Sequence, residues 1–453
     1  MGSTIEDVVA RAQDDGVRLI RFLYCDPSGV IRGKNVHIDR LADRMREGVG
    51  LTRAQNAVNM LEAFVHVEGM EPVGEIRVVP DPSTYTVLPW VERTAGLLSD
   101  QVGHDGLDWG GCTRGFLKRA ISAADTAGIR VMASFENEFY LAEERDGRVD
   151  PWANGPVYSS AGMDRAAAVM IDIVDALEAQ DLEVEQAINE YGPGQQEIAV
   201  RYTDALRAAD NQLKFRDAVR GTTETRHGLI ASFAPKPFAD GIGSGAHIHF
   251  SLWSTDESTN LLYGADVGQR LLSDLGRHFV AGVMAHLPAL VALTCPSFNS
   301  YDRLRPDAWA GSTVSWGLDN RECAVRVASP FRGREAESTN VELKACDPSC
   351  NPYLALGGLI YAGLDGVSRG LEPPEPARLN PSRMNEAERR RHGITALPSS
   401  LRQSLALLQS DPILYPELGD LLGRCLIAVR MAEIESFEAM TPEAVRAAHL
   451  RVF

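Results

Sequence analysis

Two glutamates stand two residues apart in Ser134-Phe135-Glu136-Asn137-Glu138-Phe139. Alternate side chains of a β-strand share a face, so Glu136 and Glu138 would project together. The same period sets His247, His249 and Ser251 opposite Ile248, Phe250 and Leu252, and puts Glu342 beside Lys344. Glu190 and Glu197 flank a tight Gly192-Pro193-Gly194 loop. Singly, each segment would be the solvated face of a sheet. Joined in one curved sheet, their polar faces would line a shared funnel. So many carboxylates there would repel one another and lose hydration unless cations neutralised them. Oxygen-rich donors with an imidazole suit Mg²⁺ or Mn²⁺ better than structural zinc.

The elements that must position these groups read as an α+β chain. Residues 5–15 have the pattern of a short amphipathic helix, and 17–26 and 30–38 are extended around the turn Asp26-Pro27-Ser28-Gly29, which predicts a β-hairpin. The stretch to about residue 108 is strand-rich. Helix patterns at 113–128, about 163–179 and 204–221 then alternate with strand patterns at 131–142 and 228–237, so strands are backed by helices. The last ~80 residues are helical, with segments at 397–411 and 418–437 after a Pro-rich loop at 371–381. Two domains are expected, 1–108 and 109–453.

The formal charge of -17, from 45 Lys+Arg against 62 Asp+Glu, argues against nucleic acid or an anionic membrane as partner. Seven Cys with no CxxC fit buried thiols in a reducing compartment. The polar, acidic start has no signal-peptide core, and no uninterrupted apolar run has the length of a membrane helix, so a cytoplasmic location is expected.

In order along the chain, these residues resemble the motifs of the glutamine synthetase family. Glu136-Asn137-Glu138-Phe139 is similar to its E-x-E-F strand, and Glu190 through Glu197 to its E…GPGQxE loop. Lys236-Pro237-Phe238 followed by Gly243-Ser244-Gly245-Ala246-His247-Ile248-His249 resembles K-P…G-S-G-x-H-x-H. Asn299-Ser300-Tyr301-Asp302-Arg303-Leu304, then Ser315-Trp316-Gly317, Asn320-Arg321 through Arg326, Glu342, Asp347-Pro348 and Asn351-Pro352-Tyr353 match the remaining blocks.

The resemblance implies an N-terminal β-grasp domain followed by a catalytic domain built as a curved antiparallel sheet, or half-barrel, backed by helices. It implies ATP and two or more Mg²⁺ or Mn²⁺ ions per site. Glu138, Glu190 and Glu197 would hold one ion, and Glu136, His247 and Glu342 the second. Lys236, His249, Ser251, Arg321 and Arg326 would contact the nucleotide and its phosphates. Gly243, His247 and Lys344 would border the glutamate, with Arg303 on its α-carboxylate. Family members form stacked rings, usually dodecamers of two hexamers, with active sites between subunits, so a homo-oligomer is expected.

A carboxylate resists amines because oxide is a poor leaving group; phosphorylation converts it to an acyl phosphate with a good one. Glutamate-dependent ADP formation, and trapping of the activated acyl group by hydroxylamine, are therefore expected. Arg321 and Arg326 supply fixed positive donors for the transferred phosphoryl group.

Several positions depart from the family pattern. The ammonium-attracting Asp of its D-G-S-S loop is missing from Gly48-Val49-Gly50-Leu51-Thr52-Arg53, where Thr52 falls near its place. The flap, R-L-x-P-G-Y-E in the family, reads Arg303-Leu304-Arg305-Pro306-Asp307-Ala308-Trp309. Trp309 stands where the Glu would be, and Asp307 takes that role only if the register slips. An indole offers an apolar surface and a π face to an organic amine. A γ-glutamyl-amide ligase for an alkylamine or arylamine is therefore expected. The alternatives are a glutamine synthetase with a rewired ammonium site, a polyamine ligase with further acids at the amine entrance, and a non-catalytic ring-forming relative, which the complete ligand set disfavours. A Lys at 344 keeps the charge of the family's Arg but loses its fork, Ile242 replaces the Asn before G-S-G, and Leu379-Asn380-Pro381-Ser382 lacks the Tyr that many bacterial members adenylylate.

Overall fold

The computed structural model describes residues 3–152, 155–264 and 272–453. The strand-rich N-terminal region supplies β1 (Leu19–Cys25), β2 (Ile31–His37), β3 (Val49–Thr52), β4 (Glu75–Pro80), β5 (Thr86–Val87) and β6 (Thr94–Val102). Their order is β2-β1-β6-β4-β3, with β5 also against β6. The expected hairpin forms from Leu19↔His37 to Cys25↔Ile31. Its turn is closed by the Val30 N–H donating to Asp26 Oδ1 at 3.0 Å. Gly29 is required there, because its φ is +82° and a Cβ would lie 2.5 Å from the Ser349 carbonyl. First and last strands, β1 and β6, pair in parallel at the centre. Ile20, Phe22, Ile76 and Leu97 form the core beneath, closed by Cys425 and Val429 of the helix Asp420–Glu438.

The second sheet contains β7 (Arg130–Arg145), β8 (Arg148–Pro151), β9 (Val184–Asn189), β10 (Gln195–Val200), β11 (Thr203–Asp204), β12 (Ile230–Ser232) and β13 (Ala246–Trp253). After β14 (Thr313–Val314), which pairs outside it, come β15 (Trp316–Leu318), β16 (Val325–Val327) and β17 (Val341–Leu343). The order is β15-β16-β17-β13-β7-β10-β9, antiparallel throughout except for the parallel pair β15–β16. Phe135, Ile248, Phe250 and Leu252 bury one face among residues such as Phe116, Leu290 and Leu354 of the backing helices. On that face Asn137 exchanges amide hydrogen bonds with Gln212 at 2.7 and 2.6 Å, so its burial leaves no polar group unmet.

Most elements lie where periodicity puts them. The strand expected over 228–237 shrinks to Ile230–Ser232, because Pro235 and Pro237 cannot donate to a ladder. The helix Asp274–Thr294 is long and apolar enough to span a membrane by length and a mean hydropathy of 1.3, but most of it is buried inside the protein. All seven cysteines are free and buried.

Within that helix, His286 sits between Asp411 (Nδ1 to Oδ2, 2.7 Å) and Asp365 (Nε2 to Oδ2, 3.0 Å), and Arg369 also reaches Asp365 at 2.8 Å. Burial opposes the charged imidazolium, but the two aspartates outweigh it and raise its pKa above the usual histidine value. A raised folded-state pKa contributes stability that is complete below the unfolded value and is lost as pH rises through the folded one. Melting temperature should therefore fall as pH climbs above about 6.5. His286→Ala should cost about 3 kcal/mol at pH 6, because it leaves two buried carboxylates without their partner, and should flatten that pH slope. Thermal melts at stepped pH measure both.

Candidate active site

The strand register carries the acidic residues onto one wall. β10 sets Glu197 opposite Glu138, β13 sets His247 opposite Glu136, and β17 sets Glu342 between His249 and Arg326. Glu190 lies just past β9, and the loop that returns to Glu197 is pinned when the Gly192 N–H donates to Gln195 Oε1 at 2.9 Å. A Cβ on Gly192 would lie 2.0 Å from the Tyr140 hydroxyl, which explains the glycine.

At the β13–β17 end the negative charge is compensated. Glu342 is fully buried and meets Arg326 Nη1 at 2.6 Å and Lys344 Nζ at 3.2 Å. Burial would raise its pKa, but Lys344 and the two histidines hold it well below the usual carboxylate range. Glu136 is held low in the same way, by His247 and His249 against burial. His249 Nδ1 faces Asn340 Oδ1 at 3.0 Å and its Nε2 lies 3.4 Å from Glu136, with its pKa raised to about 9 because Glu136 and Glu342 outweigh burial. Arg303 Nη2 donates to His247 Nε2 at 3.2 Å, so His247 turns a protonated Nδ1 to Glu136 at 3.2 Å and Glu342 at 3.1 Å.

The β9–β10 end has no such compensation. Glu197 is 7% exposed, and burial together with Glu136, Glu138 and Glu190 pushes its pKa to about 10. Burial and Glu138 also raise Glu190, whose only printed partners are the Tyr158 hydroxyl at 3.2 Å and the Tyr191 N–H at 3.1 Å. Glu138 accepts from the Gly245 N–H at 2.9 Å and from Gln195 Nε2 at 3.2 Å. These all-oxygen donors with a shortage of positive charge fit a hard divalent cation. Among the described residues one further cluster has its ligand atoms within 4.8 Å of one another: Glu136, His249 and Glu342. The sequence expectation placed His247, not His249, in that set; the two rings lie on the same face, and both reach Glu136.

Two cavities meet at Glu136. The larger, about 700 Å³, holds Glu138, Glu190, Glu197, Arg303, Arg321 and Lys344. The smaller, about 380 Å³, is lined by Ser134, His249, Ser251, Phe331, Arg334 and Asn340. In the larger, Arg303 is 5% exposed, yet its Nη1 has no hydrogen-bond partner. Gly243 and Gly245 admit this guanidinium, since a Cβ on either would lie 2.6 Å from its Cγ or 2.7 Å from its Nη2. Ser251, in the smaller cavity, accepts from Trp253 Nε1 at 2.9 Å.

Other expected residues lie elsewhere. Lys236 donates to the Gly241 carbonyl and lines neither cavity. Arg326 is spent on Glu342 and lines neither. Thr52 caps the 3₁₀ turn Arg53–Asn56 with Gln55, outside both cavities of its own chain. Asp307 lines the larger cavity, but its Oδ1 accepts from Asn380 Nδ2 at 2.9 Å and Ser382 Oγ at 2.8 Å. Trp309, half exposed with φ +54°, packs edge-on against Tyr191 with ring centroids 5.9 Å apart. Tyr191 stands in the same way to Tyr158 at 6.0 Å. Sequence reasoning missed Tyr158 and Met163 on this wall; their signal was a Tyr and a Met exposed near the start of the helix Ser160–Glu178. It also missed Glu322, whose carboxylate accepts the Trp309 N–H beneath the flap.

Comparison with known proteins follows the same line. A family model described as the glutamine synthetase catalytic domain matches residues 110–447, and one described as the glutamine synthetase N-terminal domain matches 4–109. The gamma-glutamylpolyamine synthetase of Streptomyces coelicolor is 34% identical over 438 residues, covering 96% of this chain and 93% of its own. The glutamine synthetase of Halobacterium salinarum is 32% identical over 448 residues, covering 97% and 94%. Among solved structures, a GmaS–ADP complex superposes with a TM-score of 0.85 at 27% identity, covering 98% of this chain and 99% of that one. A novel glutamine synthase homolog gives 0.85 at 29%, covering 96% and 99%.

Proposed function

Because the chain belongs to the glutamine synthetase family, whose members are ATP-dependent ligases that form glutamine or γ-glutamyl amides, we propose that it joins the γ-carboxylate of L-glutamate to an organic primary amine. The observation that carries this reading is the flap: it presents the Trp309 indole to the cavity, while its one carboxylate, Asp307, is turned onto Asn380 and Ser382.

The unpartnered Nη1 of Arg303 offers the α-carboxylate a charge-assisted donor in a water-poor setting. Glu138, Glu190 and Glu197 would hold one divalent cation, and Glu136 and Glu342 with an imidazole of the His247–His249 pair a second. Such cations, Mg²⁺ or Mn²⁺, neutralise charge on transferring phosphoryl oxygens. The smaller cavity takes the nucleotide: Ser251 and His249 face phosphate, and the exposed Phe331 ring and Arg334 offer a flat apolar face and a cation. ATP passes its γ-phosphoryl group to a γ-carboxylate oxygen, leaving ADP. Arg321, exposed in the larger cavity, supplies a donor to the resulting acyl phosphate. The amine nitrogen then bonds to the acyl carbon, the C–O bond to phosphate breaks, and a proton leaves the nitrogen. Thr52, lying outside both cavities of its own chain, supports a ring in which a neighbouring subunit completes the amine side.

Trp309→Glu tests the reading. A carboxylate on the flap favours a small hydrated cation and removes the apolar surface, so the ratio of kcat/KM for ammonia to that for isopropylamine should rise about tenfold. An unchanged ratio would remove Trp309 from amine selection.

A further inference from the structure

We infer that the amine substrate is a monoamine carrying an apolar alkyl or aryl group, and that Tyr158, Met163, Ile188, Tyr191 and Ile242 join Trp309 in selecting it. This rests on the organic-amine reading above and narrows it.

Five of the large hydrophobic side chains that the fold leaves exposed, Tyr158, Met163, Tyr191, Ile242 and Trp309, line one cavity, the larger one. They come from separate parts of the chain: the start of the helix Ser160–Glu178, the β9–β10 loop, the loop before β13 and the flap. Exposed hydrophobic residues scattered singly need no explanation, but a contiguous patch beside polar groups marks a binding surface. This patch continues directly into the polar part of the cavity. Tyr158 donates to Glu190, and Tyr191, whose N–H also reaches Glu190, packs on both Tyr158 and Trp309. A substrate nitrogen beside Glu190 would therefore have its carbon substituent over the Tyr191 and Trp309 rings, with Met163, Ile188 and Ile242 beyond.

The acids of this cavity decide between a monoamine and a diamine. Among its described lining residues, the carboxylates are Glu136, Glu138, Glu190, Glu197 and Asp307. The four glutamates stand together at the sheet, and Asp307 is engaged by Asn380 and Ser382. The apolar side offers Gln186 as its polar group and no free carboxylate. A second ammonium carried by the substrate would be desolvated there without a counter-ion, whereas a methyl or phenyl terminus would gain by burial.

The test compares kcat/KM for ammonia, methylamine, butylamine, benzylamine and 1,4-diaminobutane at saturating ATP and glutamate. Butylamine and benzylamine should each exceed 1,4-diaminobutane and methylamine about tenfold or more. Met163→Asp should narrow the gap by raising the value for the diamine, and Tyr191→Ala should lower the value for benzylamine about tenfold. A diamine equal to butylamine, with both above ammonia, would overturn the monoamine inference and leave the organic-amine reading standing. Ammonia exceeding every organic amine would overturn both. If the two variants changed the mass of the assembly and left the ranking of amines intact, the patch would be a subunit contact and the inference would fall.

Discussion

Glu136→Gln is expected to lower kcat about a thousandfold while leaving the fold intact. Glu136 is the side chain common to both cavities, and its carboxylate faces His247 at 3.2 Å and His249 at 3.4 Å. An amide of the same shape keeps the strand pairing and the hydrogen-bonding volume but removes the negative charge. With one anionic donor gone, the cluster of Glu136, His249 and Glu342 should bind Mn²⁺ at least about tenfold more weakly. Two readouts are needed. Coupled ADP release measures the rate, and Mn²⁺ titration followed by electron paramagnetic resonance measures occupancy without reference to turnover. A variant that loses activity but binds Mn²⁺ as the wild type does would take Glu136 out of the proposed cation set.

Arg303→Lys should reduce kcat/KM for glutamate about a hundredfold, or ~2.7 kcal/mol, and leave KM for ATP nearly unchanged. Lysine keeps the positive charge, so the loss reports the fork geometry. Arg303 Nη2 is already engaged by His247 and the Lys344 carbonyl at 3.2 and 3.3 Å, which leaves Nη1 as the free donor toward the cavity. Gly243 and Gly245 leave room for a guanidinium, and the shorter branch of a lysine cannot fill both positions. A matching rise in KM for ATP would indicate general disruption of the wall, because the nucleotide cavity lies on the far side of Glu136.

The sequence made the acidic wall legible because strand periodicity is local. Glu136 with Glu138, and His247 with His249, share a face whatever surrounds them, and cross-strand pairing then brings Glu197 and Glu342 alongside. The charge balance of the wall was not legible. That Arg326 neutralises Glu342 follows from the β16–β17 register, which no local pattern encodes. The flap was half legible. Its Trp309 could be read from position, but Asp307 is fixed by Asn380 and Ser382, more than seventy residues further on, and only the folded chain shows its oxygen to be occupied. Lys236 illustrates the same limit: its neighbours in sequence place it beside the site, and the Gly241 carbonyl takes its ammonium. The aromatic wall escaped because Tyr158 and Met163 belong to a helix whose own pattern gives no reason for leaving them exposed.

The preference for an organic amine is tested most directly by competition. Ammonium and isopropylamine at equal concentration, with ATP, glutamate and Mg²⁺, give two products whose ratio by mass spectrometry is the ratio of the two kcat/KM values. γ-Glutamyl isopropylamide in excess over glutamine is expected. Glutamine in excess would contradict it and make the chain an ammonia-using member of its family.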